Sequence, residues 1–123
     1  MPAPSIRTAQ AFRGELPPMP IEPSWISAGN PVARGKVLVQ SADQCLSSGL
    51  WECTAGEFRW TFSWDEFVYI LEGEVSIREE GVATHTLAPG DFAHFPLGLT
   101  TYWTVPRYVK KAFTLRTPEP FRL

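Results

Sequence analysis

Histidine and cysteine are the scarcest chemistry in this chain, with two of each among 123 residues. These are the usual nitrogen and sulfur ligands of transition metals, so a site needing three or four of them has few residues to draw on. The spacing of Cys45 and Cys53 matches no zinc or redox motif, and with no export signal they read as two buried or idle thiols instead of a disulfide. An excess of one charge is missing too. The net charge is −2 with acids and bases interspersed, which offers no basic field to a phosphate backbone and excludes nucleic acid as an expected partner. No apolar run approaches the ~20 residues of a membrane span, and the opening Met-Pro-Ala-Pro-Ser-Ile-Arg lacks the apolar core of a signal peptide. We therefore expect a soluble, cytoplasmic protein with no membrane partner.

Helical periodicity is the next absence. Seven of the twelve prolines fall between Pro2 and Pro31, which forbids long helices there and predicts an extended arm over residues 1–24, partly disordered to about residue 20 and anchored by Trp25-Ile26. Pro31 to Gly35 reads as a turn into a first strand, Lys36–Val39. From Ser48 onward turn signals recur at short intervals, the pattern of an all-β sandwich or barrel. Gly49–Cys53 and Phe58–Phe62 read as strands separated by a turn at Ala55-Gly56, and Pro89-Gly90-Asp91 turns the chain into Phe92–Phe95. Thr101–Val105 and Tyr108–Leu115 complete the sheet, and a short tail occupies residues 117–123. The expectation is one antiparallel β-barrel over residues 25–116, of roughly six to eight strands.

What is present centres on Trp64 to Ile77. Phe67–Leu71 is an unbroken apolar run suited to a strand buried on both faces, Glu72-Gly73 breaks it, and Val75 and Ile77 alternate with polar residues on the return. Glu66 is the lone acid at the start of this run, and it reads either as a general base or substrate anchor, or as a rim acid bonded to a neighbour. If Glu66 points inward, strand alternation sends Val68 and Ile70 with it and Phe67, Tyr69 and Leu71 outward, a stripe that predicts a homodimer. By the same parity an inward Thr101 brings Trp103 inside. His94 reads as an acid or base facing Glu66, or as a hydrogen-bonded core histidine beside Phe92 and Phe95. His85 is assigned no role.

Two spacings, Glu66-x6-Gly73 and Gly90-x5-Pro96-x-Gly98, resemble the signature motifs of the cupin superfamily. The wording Gly49-Leu-Trp-Glu-Cys-Thr-Ala-Gly56, Phe-Arg-Trp60, Asp-Glu-Phe-Val-Tyr-Ile-Leu-Glu-Gly73 and Thr101-Tyr-Trp-Thr-Val105 resembles one small branch. That branch is the single-domain, DUF861-like cupins grouped with the (S)-ureidoglycine aminohydrolase cupin domain. The resemblance covers about residues 25–115 and implies an RmlC-like jelly roll, an antiparallel double-stranded β-barrel. Activity does not follow from fold, because cupins host many unrelated ones.

The resemblance also implies where a metal would sit. Its first-motif histidines fall on Trp60 and Phe62, or on Arg59 and Thr61 with the longer spacing, and its second-motif histidine falls on Thr101. Indole and phenyl rings do not ligate metals, so Glu66 is left as the one strong ligand and no metal or other cofactor is expected. With Trp60 and Phe62 inward beside Glu66, Thr101 and Trp103, the mouth becomes narrow and aromatic with one carboxylate. Such a site suits a small organic ligand bearing an amine or hydroxyl, although the same rings also serve simply to fill the barrel. The expected function is a metal-free small-molecule-binding barrel. The alternative is an enzyme, either a ureidoglycine aminohydrolase-like metal-dependent hydrolase or a metal-free epimerase or isomerase using Glu66 and His94.

Overall fold

The structure, a computed structural model, describes residues 4–9 and 15–122. Two long strands organise it. β3 (Leu46–Thr61) and β8 (Thr100–Arg116) pair antiparallel along nearly their whole length, from Leu46 opposite Arg116 to Thr61 opposite Thr100. The first half of β3 also pairs with β2 (Ala33–Gln40) and its second half with β1 (Ile26–Gly29). The second half of β8 pairs with β4 (Asp65–Gly73) and its first half with β5 (Val75–Glu79). β7 (Phe92–Phe95) extends β4, and β6 (Thr84–Leu87) extends β5. The outcome is two antiparallel layers, β2-β3-β8-β4-β7 and β1-β3-β8-β5-β6, joined through the shared long strands as a jelly roll. Among the described residues helix is confined to one 3-10 turn, Pro23–Trp25.

Three sequence expectations change here. The expected turn at Ala55-Gly56 is a bulge inside one continuous strand, where the register shifts between Thr54 and Gly56. Pro106, which lacks an N–H for the ladder, lies opposite that shift and bends β8 without ending it. β2 starts at Ala33 inside the expected turn, because Gly35 lets Met19 and Trp51 close directly onto the strand. The sheet is also not closed into a ring, for among the described residues β6 pairs only with β5 and β7 only with β4.

Between the layers lies a core that includes Phe58, Phe62, Ile70, Val75, Ile77 and Val109. Each such side chain stabilises the fold by about 1.5–3 kcal/mol. Gly73 closes the β4–β5 hairpin at φ +73, with a Cβ position only 1.9 Å from the Tyr108 carbonyl oxygen, so no other residue fits there. The expected outward parity of Phe67, Tyr69 and Leu71 is seen, with Phe92 exposed beside them, so β4 is buried on one face only and not on both as its unbroken apolar run suggested.

Described residues near both ends of the chain pack onto the jelly roll. From Glu15 the arm runs along the edge of β2, with the Gly35 N–H donating to the Pro17 carbonyl at 3.0 Å and the Met19 N–H to the Ala33 carbonyl at 2.9 Å. Leu16 and Ile21 are buried, which seats this part of the arm against the sheet. The expectation of partial disorder to about residue 20 falls in part on residues 1–3 and 10–14, outside the described residues. Trp25 packs edge-on against Trp60, with centroids 5.3 Å apart. At the other end, Phe121 meets Trp64 edge-on at 5.3 Å, and Gln40 Nε2 donates to the Phe121 carbonyl at 2.8 Å. No described helix is long and apolar enough to cross a membrane.

Candidate functional site

Strand parity builds the site. On β4 Glu66, Val68 and Ile70 face inward, and on β8 Val109, Lys111, Phe113 and Leu115 do the same. Lys111 lies in register with Ile70 and with Trp51, whereas Glu66 lies in register with Leu115. The lysine stem must therefore run along the inner face to bring its ammonium to the carboxylate. Lys111 Nζ stands 2.8 Å from Glu66 Oε2, and the two side chains are only 7% and 6% exposed.

Burying two ions costs several kcal/mol each unless their remaining polar atoms are satisfied. Here they are. Trp64 Nε1 donates to Glu66 Oε1 at 2.8 Å. The ammonium lies 4.6 Å from the Trp51 ring centroid and 4.9 Å from that of Trp103, within cation–π range of both. Trp103 is fixed in turn: its Nε1 donates to Thr101 Oγ1 at 2.8 Å, and that hydroxyl donates to the Trp60 carbonyl at 2.9 Å. Phe58 stacks on Trp103 with centroids 5.6 Å apart.

Above the pair is a cavity of about 30 Å³, bounded by Glu66, Lys111, Trp51, Trp60, Trp64 and, from the arm, Met19. That is room for about one or two waters. Near Lys111, burial pushes the Cys53 thiol up to about 12, with the lysine charge pulling part of the way back. Such a thiol is no nucleophile.

Of the residues singled out from sequence, Glu66, Trp60, Phe62 and Trp103 all border this cavity. Thr101 does not. Its hydroxyl is spent on Trp103 and Trp60, and it borders a neighbouring cleft between β5 and β7 instead. His94 neither faces Glu66 nor lies in the core: Phe95 is the residue in register with Glu66, so alternation turns His94 to the outer surface. There it stacks on Phe67 with centroids 4.4 Å apart, and its Nε2 lies 3.2 Å from Asp65 Oδ1. This hydrogen bond is the main reason the Asp65 carboxyl is held below the usual range. His85 pairs with Glu79 at 3.2 Å, away from the aromatic cavity.

Lys111 is the residue that sequence reading missed, although a signal existed. Val109, Phe113 and Leu115 share its strand parity and are all apolar, which assigns position 111 to the same buried face.

The metal of the cupin motif does not fit the residues present. Trp60, Phe62 and Thr101 occupy the ligand positions, both Glu66 oxygens already accept hydrogen bonds, and an ammonium stands 2.8 Å from one of them. Among the described residues no group of three or more His, Cys, Asp or Glu side chains is placed to hold a metal ion.

Comparison with known proteins agrees with this architecture. Residues 40–113 match the EutQ-like cupin domain. A putative ethanolamine utilization protein Q from Salmonella typhimurium LT2 is 27% identical, with a TM-score of 0.61 and 69% of each chain covered. A DUF861-family protein of unknown function from Pseudomonas syringae pv. tomato is 26% identical, with a TM-score of 0.75 over 83% of this chain and 44% of that one. This chain thus spans less than half of the Pseudomonas protein. EutQ from Clostridium difficile, 23% identical with a TM-score of 0.64 over 73% and 66% of the two chains, shares the fold. No curated protein matches the chain in sequence. Because the matched segment contains both motifs, Glu66 to Gly73 and Gly90 to Gly98, and most of the strands that carry the site, the chain belongs to the EutQ-like cupin family.

Proposed function

We propose that this cupin binds a small uncharged organic molecule at the Glu66–Lys111 pair, without a metal. The observation that carries this reading is the ion pair itself, 2.8 Å across and buried beneath an aromatic cavity. A lone carboxylate would favour an amine, but a carboxylate already neutralised by Lys111 does not. A further charge brought into this low-dielectric space would have no partner, and its desolvation would go uncompensated. A hydroxyl or amide both donates and accepts, so it complements a carboxylate oxygen and an ammonium hydrogen lying side by side. The surrounding rings supply stacking area. Ligands of a few atoms gain at most about 1.5 kcal/mol per heavy atom, so small probes bind weakly and only substantial ligands bind well.

The test is an NMR titration that follows the indole N–H signals of Trp64 and Trp103, using glycerol, acetamide, acetate and methylammonium as probes. Saturable shifts with glycerol or acetamide, and their loss in Lys111→Met, are expected. Shifts with methylammonium alone, or no saturable shift with any probe, would end the reading.

The same pair favours one second reading, a metal-free epimerase or isomerase in which Lys111 takes the acid–base role expected of His94. Two titratable groups facing one cavity 2.8 Å apart supply what such a proton transfer needs. Incorporation of solvent deuterium at a carbon next to a carbonyl, abolished by Glu66→Gln, would distinguish catalysis from binding. A ureidoglycine aminohydrolase-like reaction through a metal gains no support from a donor set of one engaged carboxylate.

A further inference from the structure

We infer that the Met19 side chain is the gate through which a ligand reaches the Glu66–Lys111 pair, an inference that rests on the binding reading above. Two spaces meet at this residue. One is the inner cavity of about 30 Å³. The other is an open groove of about 560 Å³ between the arm and the tail, lined by Pro17, Pro18, Pro20, Gln40 and Phe121 among others. Among the described residues Met19 alone borders both.

The remaining walls are braced. Trp51 and Trp103 lie against the ammonium. Trp64 is held by Glu66 and by Phe121. Trp60 is held between Trp25 and Phe62. The backbone of Met19 is also fixed, by its N–H bond to the Ala33 carbonyl and by Pro18 and Pro20 on either side, whose rings lock φ. Its side chain is different in kind, an unbranched thioether with three rotatable bonds and no hydrogen bond to break on moving. It rests over Gly35, where an added Cβ would lie 2.7 Å from Sδ. Any ligand larger than about two waters needs more room than the cavity holds, and swinging this thioether joins the cavity to the groove while the arm stays paired with β2. The groove so joined to the cavity is mixed in character, with prolines and Phe121 beside Lys36, Gln40, Gln44 and Arg122.

The experiment is acrylamide quenching of tryptophan emission in the full chain, with three variants. Met19→Ala removes the gate. Gly35→Ala keeps Met19 and the arm's hydrogen bonds but presses Sδ from its seat. Leu16→Ala loosens the arm while leaving Met19 intact. Both Met19→Ala and Gly35→Ala are expected to raise the quenching constant by about twofold or more, the first because it leaves a void over buried indoles and the second because its added Cβ, 2.7 Å from Sδ, displaces the thioether, with Leu16→Ala close to the parent protein. An equal rise in Leu16→Ala would overturn the inference, since the whole arm would then lift. So would the absence of a rise in a variant that retains a cooperative urea transition. Should both gate variants fail to fold, the parent protein decides: Met1 and Met19 are its only methionines, and a Met19 methyl locked in a single rotamer by 13C NMR would overturn the gate. Acrylamide is itself a small amide, but quenching reads its access to the indoles and not a saturable affinity, whereas the N–H titration reads saturation. A failed quenching result therefore leaves the binding reading standing, and a failed indole titration leaves the gate standing.

Discussion

Replacing Lys111 by methionine keeps the volume of its stem and deletes only the ammonium. Glu66 then stays almost wholly buried with the Trp64 N–H as its remaining donor. Removing one partner of a buried pair costs about 3–5 kcal/mol, because the other charge is left uncompensated. Against a total stability of about 5–15 kcal/mol this is a large fraction. It corresponds to a fall of about 10–20 °C in Tm for a chain of this size. Glu66→Met combined with Lys111→Met removes both charges, and the double variant should recover to within about 1 kcal/mol of the parent or exceed it. Urea unfolding followed by tryptophan emission measures all four proteins of the cycle, and the non-additivity isolates the pair. A Lys111→Met variant that loses less than about 1 kcal/mol, or a double variant no more stable than the single, would refute a desolvated, mutually dependent pair.

Gly73→Ala should cost about 3 kcal/mol or more in urea unfolding, since it combines a positive φ with a Cβ 1.9 Å from the Tyr108 carbonyl oxygen. Native Cys53 should resist alkylation at pH 8, where a thiol with a pKa of about 12 is thiolate in about one molecule in ten thousand; addition of denaturant should bring labelling to two sites per chain, Cys45 and Cys53. Asp65, whose carboxyl is held low chiefly by the His94 hydrogen bond, stabilises the fold fully above the ordinary carboxylate pKa, and that contribution is lost as pH falls through its depressed folded value. Asp65→Asn should therefore flatten the acid limb of the urea midpoint, and an unchanged limb would count against the contact. We also propose that the exposed Phe67, Tyr69, Leu71 and Phe92 face pairs with a second copy. Sedimentation should then show twice the 13.8 kDa chain mass, reverting to single chains in Phe92→Asp, and a parent protein that sediments only as single chains would contradict it.

Much of the fold was legible because β alternation is local. Once Glu66 is set inward, Val68 and Ile70 follow it and Phe67, Tyr69 and Leu71 go outward, and a two-residue step carries Thr101 to Trp103. Local signals fail where a turn and a bulge use the same residues, as at Ala55-Gly56 and Pro106, where chain continuity depends on the partner strand. His94 was illegible, and the parity signal at Lys111 overlooked, for a related reason. The parity of β7 relative to β4 is fixed by the register of Phe95 with Glu66, which no short-range pattern encodes. A lysine in a strand reads as solvated because buried lysines are rare without a partner, and the partner of Lys111 is 45 residues away in sequence. The carboxylate that reads as solitary in sequence is half of an ion pair in the fold.

Metal content of untagged protein, by plasma mass spectrometry, tests most directly the claim that the cation beside Glu66 is the Lys111 ammonium. The predicted result is less than about 0.1 equivalent of any transition metal, since one engaged carboxylate is too few ligands for a tight site. Near one equivalent of manganese, iron, nickel or zinc, lost on Glu66→Gln, would contradict it.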